Sequence, residues 1–518
     1  MAPDPTLVSI AAAEAALGRE GPVERRDTHM SVVLIGGDRV LKIRRAIAFA
    51  FADHRSLDAR RASAEAELRL NAELAPGVYV AVHGVVAGSE PSLVAADDPA
   101  AIDFVVEMRR FDESATLAAR VRAGEPDAGL ASVIDELAMR IARFHRSAPH
   151  CEDVPADPAG AAAALIRATE TELGELRSLV TVHEQVLVVH GVAARLEAAA
   201  MELADEAGRR GRDGLVRDCH GDLRAEHVVA RPGEGLLVVD RLEYRRDLRC
   251  VDVADDLSFL VMDLTALGRP ELAERLVAAY EDAGGAVCSP ALLALFGARR
   301  ALVRMKVELL RADQGGPDAD SARTGAETML RVARRLAWQT HGPLAIAVCG
   351  LSGSGKSRIA EALSEASGIP VIASDLVRKR MLGIAPAERA GEAGYVPAVT
   401  ERVYVELAER AAERVAAGLP VIVDATFLRR HDRALLAART GERVLFVECT
   451  APDAVLEARL AARGSDPGAV SDADAAVLAR QRVAREPLDE IAPEKHVLLG
   501  TDRPVGDCVA MIEIALSD

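Results

Sequence analysis

Residues 350–357 read GLSGSGKS, and no other stretch of this 518-residue chain limits its fold so severely. The segment fits G-x-x-x-x-G-K-[ST] without a mismatch, follows the apolar run PLAIAVC and opens the helical pattern RIAEAL. A strand, a Gly-rich turn and a helix in that order aim successive backbone N–H groups at one point, where the helix N-terminus adds partial positive charge. A phosphate satisfies such a cradle. Lys356 brings its charge to the β- and γ-phosphates, and the Ser357 hydroxyl serves Mg²⁺. The expected nucleotide set is Gly350, Ser352, Gly353, Ser354, Gly355, Lys356, Ser357 and Arg358, with ATP as cofactor and Lys356 acting also in catalysis.

The segments after this loop alternate: IPVIASD, LPVIVDATF, ERVLFVEC and KHVLLG are apolar strands separated by helical stretches. That pattern predicts an α/β domain with a parallel sheet covered on both faces. Asp375 ends the first of these strands, where it can take the proton of an acceptor hydroxyl or cap the next helix. Asp424 ends the second, as a holder of the metal's water shell or as a strand-end turn residue. Arg459 and Arg463 lie four apart on one helix face before the polar run SDAD, which reads as a lid closing over phosphates or as a solvated face. Residues 343–500 resemble the small P-loop kinases of the gluconate-kinase, chloramphenicol-phosphotransferase and zeta-toxin-like group. The resemblance rests on the loop, ASDLVRKRMLG, VDATF and R-x-x-x-R…SDAD, and it implies phosphoryl transfer to a hydroxyl.

The N-terminal part differs. Residues 6–18 read as a helix and 23–45 as strands joined at Gly36-Gly37-Asp38. Residues 57–76 read as a helix, with strands in VYVAVHGVVAG and AIDFVVEMRRF. From about 115 to 338 the pattern is helical, except for short strands over 215–245. Residues 311–325 read as a loop and 326–339 as the last helix. The expected organisation is an α+β bilobal domain over 1–340, with a small lobe to about 111 and a helical large lobe over 112–340, then the P-loop domain over 341–518.

Within CHGDLRAEHVV, Asp222 follows a short strand, and Asp240 ends GLLVVD eighteen residues on. Two strand-end carboxylates across a hairpin can converge, one as base and one as metal ligand. THMSVVLIGGDRVLKIRR, EAELRLNAELAP, VVEMRRF, HGDLRAEHVV, VVDRLEY and VDVADDLSFLVMDL together resemble the aminoglycoside-phosphotransferase-like division of the protein-kinase fold. The whole chain resembles bacterial fusions of such a domain with a P-loop kinase. The resemblance implies that Lys42 holds the α/β-phosphates, Glu67 pairs with it, and the chain about Ser31 covers the phosphates. It also implies that Glu107 and Met108 contact adenine through backbone groups. It makes Asp222 the base, Asp240 a metal ligand and Arg224 a fixed charge on the transferring phosphate. The usual metal-binding Asn is His227 here. Mg²⁺ prefers oxygen, so the second metal is expected to be weak, absent or Mn²⁺, with His227 a ligand or a hydrogen-bonding histidine and Glu226 a substitute.

Composition narrows the partners. With 63 basic and 80 acidic side chains the net charge is −17, which repels nucleic acid and anionic membrane. No signal peptide or membrane-spanning run is read. Seven scattered Cys without a CxxC pair read as buried thiols in a reducing cytoplasm. The expected function is an ATP-dependent, bifunctional phosphotransferase acting on hydroxyls of a small molecule such as a sugar, an aminoglycoside-like compound or a nucleoside. The alternatives are a P-loop enzyme with a nucleotide-binding regulatory module, and a polynucleotide 5′-kinase, which the charge and the scarcity of aromatics disfavour.

Overall fold

The structure is a computed structural model. It describes residues 4–18, 21–28, 30–49, 52–152, 154, 157–231, 235–313, 315–316, 318–385, 388, 390–464 and 475–516. The chain forms two compact units, 1–158 with 206–288, and 159–205 with 289–518.

In the first unit six antiparallel strands run in the spatial order Glu24–Asp27, Ser31–Gly36, Arg39–Arg44, Asp103–Arg109, Tyr79–Val86 and Ser92–Ala95. Their period of two divides the faces. Leu41, Ile43 and Val105 pack against Ile10, Ala13 and Leu17 of the helix Pro5–Leu17. Val106 and Phe104 join Ala64 of the helix Leu57–Asn71 on the opposite side. Lys42 therefore points away from the Leu41/Ile43 core. The helix Leu57–Asn71 stops five residues short of the expected end, and its last residue, Asn71, accepts the Arg241 N–H through its side chain.

The helices Asp127–Ser147, Val253–Ala266 and Pro270–Asp282 share a second core, with Leu130, Leu137, Ile141, Leu257, Leu260 and Leu276 at its centre. The antiparallel strands Val228–Arg231 and Gly235–Val238 pair with Val228 opposite Val238, so Asp222, which precedes the first strand, and Asp240, which follows the second, lie toward the same end of the pair. A strand missed in the sequence, Cys250–Asp252, pairs with Val216–Asp218. Cys151 and Cys250 form a disulfide. This corrects the reading of all seven Cys as thiols: residues 99 apart in sequence are brought together by that strand pairing.

The second unit holds a five-stranded, all-parallel sheet in the order Val371–Ala373, Val421–Asp424, Ala345–Cys349, Val444–Thr450 and His496–Gly500. Apolar clusters fill both faces, as a buried parallel sheet requires. The last helix before the sheet is Ala319–Gln339, which starts seven residues earlier than expected. Trp338 enters the sheet core, and its indole N–H, with Arg334, donates to Glu513 of the helix Val505–Ala515. The change of character near residue 340 therefore falls inside the second unit. No described helix is long and apolar enough to cross a membrane.

Candidate functional site

The first unit holds a cleft of about 520 Å³ whose walls include the apolar Val33, Ile35, Val40, Met108 and Val239 together with Ser31, Lys42, Arg44, Asp222, His227 and Asp240. Strand alternation puts Lys42 and Arg44 on the cleft face together. Lys42 Nζ donates to Glu67 Oε1 at 2.6 Å and to Asp240 Oδ1 at 3.1 Å. Burial opposes the Lys42 charge, but Asp240 and Glu67 outweigh it and hold the ammonium above its ordinary range. Lys42 in turn is the main reason that Asp240 stays ionised far below the usual carboxylate range.

Ser31 sits in a tight turn with Thr28, whose hydroxyl accepts from Ser31 N–H at 3.0 Å. His29 lies outside the described residues. The cleft-lining connection between the lobes is Met108–Phe111. Glu107 turns its side chain to Arg39 (2.8 Å) and His83 (2.5 Å), and Met108 lines the cleft.

The loop carrying Asp222 is fixed from behind. Asp256 accepts the N–H groups of His220 (3.1 Å) and Gly221 (2.7 Å) and binds His145 Nε2 at 3.0 Å. His220 Nε2 donates to Val239 O at 3.0 Å, joining this loop to the Asp240 strand. Burial lowers His220 to about 4, which keeps it neutral.

Arg224 lies across the front of the loop. Its Nε donates to both oxygens of Asp222 at 3.1 and 3.2 Å, Nη1 to Glu226 at 2.9 Å and Nη2 to His227 Nε2 at 3.0 Å. His227 Nδ1 donates to the Asp222 carbonyl at 2.8 Å.

Four residues escaped the sequence reading. Asp240 adopts φ 62°, a left-handed conformation uncommon for a non-glycine residue. Its N–H donates to the Tyr79 hydroxyl at 3.0 Å, and the next N–H, of Arg241, donates to Asn71 Oδ1 at 2.9 Å. Asn71 is one helical turn after Glu67, so one helix face holds both the partner of Lys42 and a support of Asp240. Arg44 and Glu243 complete the network: Arg44 binds Ser31, Glu67 and Glu243 and is buried. No spacing rule marks these positions, since each is defined by a partner distant in sequence. Tyr79→Phe removes one hydrogen bond from the Asp240 turn and is expected to raise the metal concentration for half-maximal activity about three- to tenfold. A metal titration at saturating ATP checks this.

A divalent cation fits at Asp240, whose carboxylate is 44% exposed and spends only Oδ1 on Lys42. The second position does not fit one, because a guanidinium already occupies the acceptors of Asp222, Glu226 and His227.

In the second unit the loop residues Gly350, Gly353 and Gly355 have φ of 127°, 83° and 88°. A Cβ on Gly353 would stand 2.8 Å from Leu456 O, so this position admits only glycine without a shift. Lys356 Nζ donates to Leu351 O at 3.0 Å, across the loop. Ser357 hydrogen-bonds Asp424, and the two supply the oxygen donors a Mg²⁺ ion would take. Burial raises the Asp424 carboxyl, against the pull of Lys356 and that hydrogen bond. Asp375 stands in the first turn of the helix Ser374–Leu382, past the strand end rather than on it, and close enough to Asp424 for their like charges to interact. Arg358 is exposed. Arg459 binds Thr501 through its hydroxyl at 3.0 Å and carbonyl at 2.8 Å, beside Gly353 O. The Arg463 side chain and the SDAD segment lie outside the described residues. Gln481, also missed, accepts the Ser352 N–H at 2.8 Å, while Ser354 Oγ is buried without a hydrogen-bond partner among the described residues. In the RKR run, Arg378 and Lys379 are buried, so the run forms no basic surface.

Residues 346–488 match the family model described as AAA domain. Among solved structures, a gluconokinase from Sinorhizobium meliloti 1021 is 25% identical, covering 34% of this chain and 92% of its own, with a TM-score of 0.26. A choline/ethanolamine kinase family protein from Mesorhizobium loti is 19% identical over 63% of this chain and 94% of its own, with a TM-score of 0.36. A putative aminoglycoside phosphotransferase from Ralstonia eutropha JMP134 is 14% identical, with coverages of 64% and 97% and a TM-score of 0.36. The family match falls on the unit that carries the phosphate loop and the five-stranded parallel sheet, whereas the cleft with Lys42, Asp222 and Asp240 belongs to the unit with the six-stranded antiparallel sheet. The protein called uncharacterized protein Rv2004c of Mycobacterium tuberculosis H37Rv is 32% identical over 475 residues, 89% of this chain and 90% of its own. With that identity over nearly its whole length, the chain belongs to the family of the mycobacterial protein Rv2004c.

Proposed function

We propose that the protein is a bifunctional ATP-dependent kinase in which each part transfers a γ-phosphoryl group to a hydroxyl of a small molecule. Two observations support two reactions: Lys42, backed by Glu67, converges with Asp222 and Asp240 on one cleft, and the other unit carries a complete phosphate loop with Asp375 and Asp424. In the first site Asp222 orients the acceptor hydroxyl and takes its proton as the O–P bond forms. Lys42 and Ser31 hold the phosphates, and Val33, Ile35, Val40 and Met108 enclose the base. In the second, the loop amides and Lys356 hold the phosphates, Asp375 accepts the proton, and Arg459 and Arg463 act on the transferring group. Mg²⁺, or Mn²⁺ in the first site, neutralises charge on the phosphate oxygens when bound; Asp240 holds it in one site, and Ser357 and Asp424 in the other.

We keep residues 1–340 and 341–518 as a division of function. A low-molecular-weight acceptor is favoured over nucleic acid or membrane by the net charge of −17 and the buried RKR run. Use of ATP favours the cytoplasm. A second reading, with the first part a nucleotide-binding regulatory module, is favoured by the hold of Arg224 on both oxygens of Asp222. The test is an acceptor screen over sugars, aminoglycosides and nucleosides with wild type, Asp222→Ala and Lys356→Ala, read by product mass. Two separately lost products, or a doubly phosphorylated one, support two reactions. Asp222→Ala leaving every product in place leaves the regulatory reading.

A further inference from the structure

Protein kinases place two Mg²⁺ ions, one on a strand-end Asp and one on an Asn of the catalytic loop. Here the Asn position is His227, and the geometry around it specifies its tautomer. Nδ1 faces the Asp222 carbonyl at 2.8 Å and so carries the proton; Nε2 then offers its lone pair to Arg224 Nη2 at 3.0 Å. Nε2 is also 3.7 Å from Asp240 Oδ2. The lone pair that would meet a metal is directed at a guanidinium instead.

The remaining contacts of Arg224 have the same character. Its Nε spans the two Asp222 oxygens, and Nη1 binds Glu226, whose other oxygen accepts from Arg122 at 3.3 Å. The side chain is 11% exposed, so it is held in place rather than waving in solvent. Acidic neighbours led by Asp222 and Glu226 outweigh its burial and keep it cationic. A planar guanidinium holds its donors in a rigid fork, so Nε, Nη1 and Nη2 each meet a different residue without rotating, a spread that a compact ammonium does not reproduce.

We propose that the Arg224 guanidinium takes the place of the second metal ion, so that the first site works with one divalent cation, on Asp240. His227 is the acceptor that makes the exchange possible, since an Asn oxygen would serve a metal and an imidazole nitrogen serves the arginine better than it serves Mg²⁺. The fixed cation lies beside the base Asp222, where charge develops as the phosphoryl group moves. This inference rests on Asp240 being the metal ligand.

The test counts metal rather than turnover. Full-length protein carrying Lys356→Ala, Ser357→Ala and Asp424→Ala lacks the phosphate-holding lysine and the side-chain oxygen donors of the other site. It is dialysed to equilibrium against Mn²⁺ with excess non-hydrolysable ATP analogue, and the excess metal in the protein compartment is measured. One Mn²⁺ per chain is expected, and two would overturn the proposal. Adding Arg224→Met is expected to admit a second Mn²⁺; a count unchanged at one would show that the guanidinium is not what excludes it, and would equally overturn the proposal. Adding Asp240→Ala is expected to abolish binding; Mn²⁺ persisting there would instead refute Asp240 as the ligand. In the otherwise unaltered chain, Arg224→Met is expected to lower first-site turnover about 10²-fold or more, with Arg224→Lys recovering part of it. Thermal melts separate these effects from loss of fold.

Discussion

Asp222→Ala is expected to lower phosphoryl transfer at the first site by about 10²–10⁴-fold, the usual worth of a positioned general base. Turnover that depends on Lys356 should not change. The expectation follows from placement: Asp222 lines the cleft, its side chain is 26% exposed, and its N–H is tied to His220 Nδ1 at 3.3 Å. The carboxylate is thus reachable by an acceptor but not free to wander. Binding of ATP should survive, because Lys42, Glu67 and the apolar walls of the cleft do not depend on it. Loss of kcat with little change in KM for ATP is therefore the signature, measured by ADP release in each single variant. Lys356→Ala should give the complementary result and abolish the other product. Nucleotide binding at the first site with no Asp222-dependent turnover for any acceptor would make Arg224 a lock on the base and the first part a sensor.

Asp256→Ala is expected to destabilise the first unit by about 3–5 kcal/mol, the cost of removing one partner from a buried charged group. Asp256 is fully buried, and its loss strands the N–H groups of His220 and Gly221 and the ring of His145. Against a domain stability of about 5–15 kcal/mol, that is enough to separate a lower melting transition in calorimetry. The same network makes the unit sensitive to acid. Burial opposes ionisation of Asp256, but hydrogen bonds led by the one from His145 hold its pKa below the ordinary carboxylate range. A carboxyl depressed in the folded state contributes stability above its unfolded pKa, near about 3.9, and loses it as pH falls further. His220 acts earlier. Its folded pKa of about 4 lies below the unfolded value near about 6.5. The unfolded chain therefore takes up the proton first, and stability falls as pH drops from about 6.5 toward 4. Melting of the first unit measured across that window should drop with pH; a flat profile would show that His220 is not held neutral.

The two halves of the chain were not equally legible. The second site is written in one continuous motif, because a phosphate cradle is made of consecutive backbone groups and needs glycine at set positions. The resemblance marked Lys42 and Glu67, and hydrophobic periodicity located the helix that presents Glu67. Errors fell where a partner lies far away in sequence. The helix after Ser56 was read too long, and its true last residue, Asn71, bonds the Arg241 N–H, 170 residues on. The seven Cys gave no pairing signal, since the strand that joins Cys151 to Cys250 is three residues long and has no pattern of its own. Gln481, Tyr79 and Glu243 were invisible for the same reason.

His227 shows the division most clearly. By itself the sequence determined that an imidazole stands five residues after Asp222, with Arg224 between them and Asp240 eighteen residues after Asp222. Only the tertiary structure decided what the imidazole does, because a ring nitrogen's role is set by what faces it. The Asp222 carbonyl claims one nitrogen and Arg224 the other. Local propensity and spacing are carried by neighbouring residues and survive in one dimension. Hydrogen-bond partnership depends on ångström distances between segments that only the folded chain brings together.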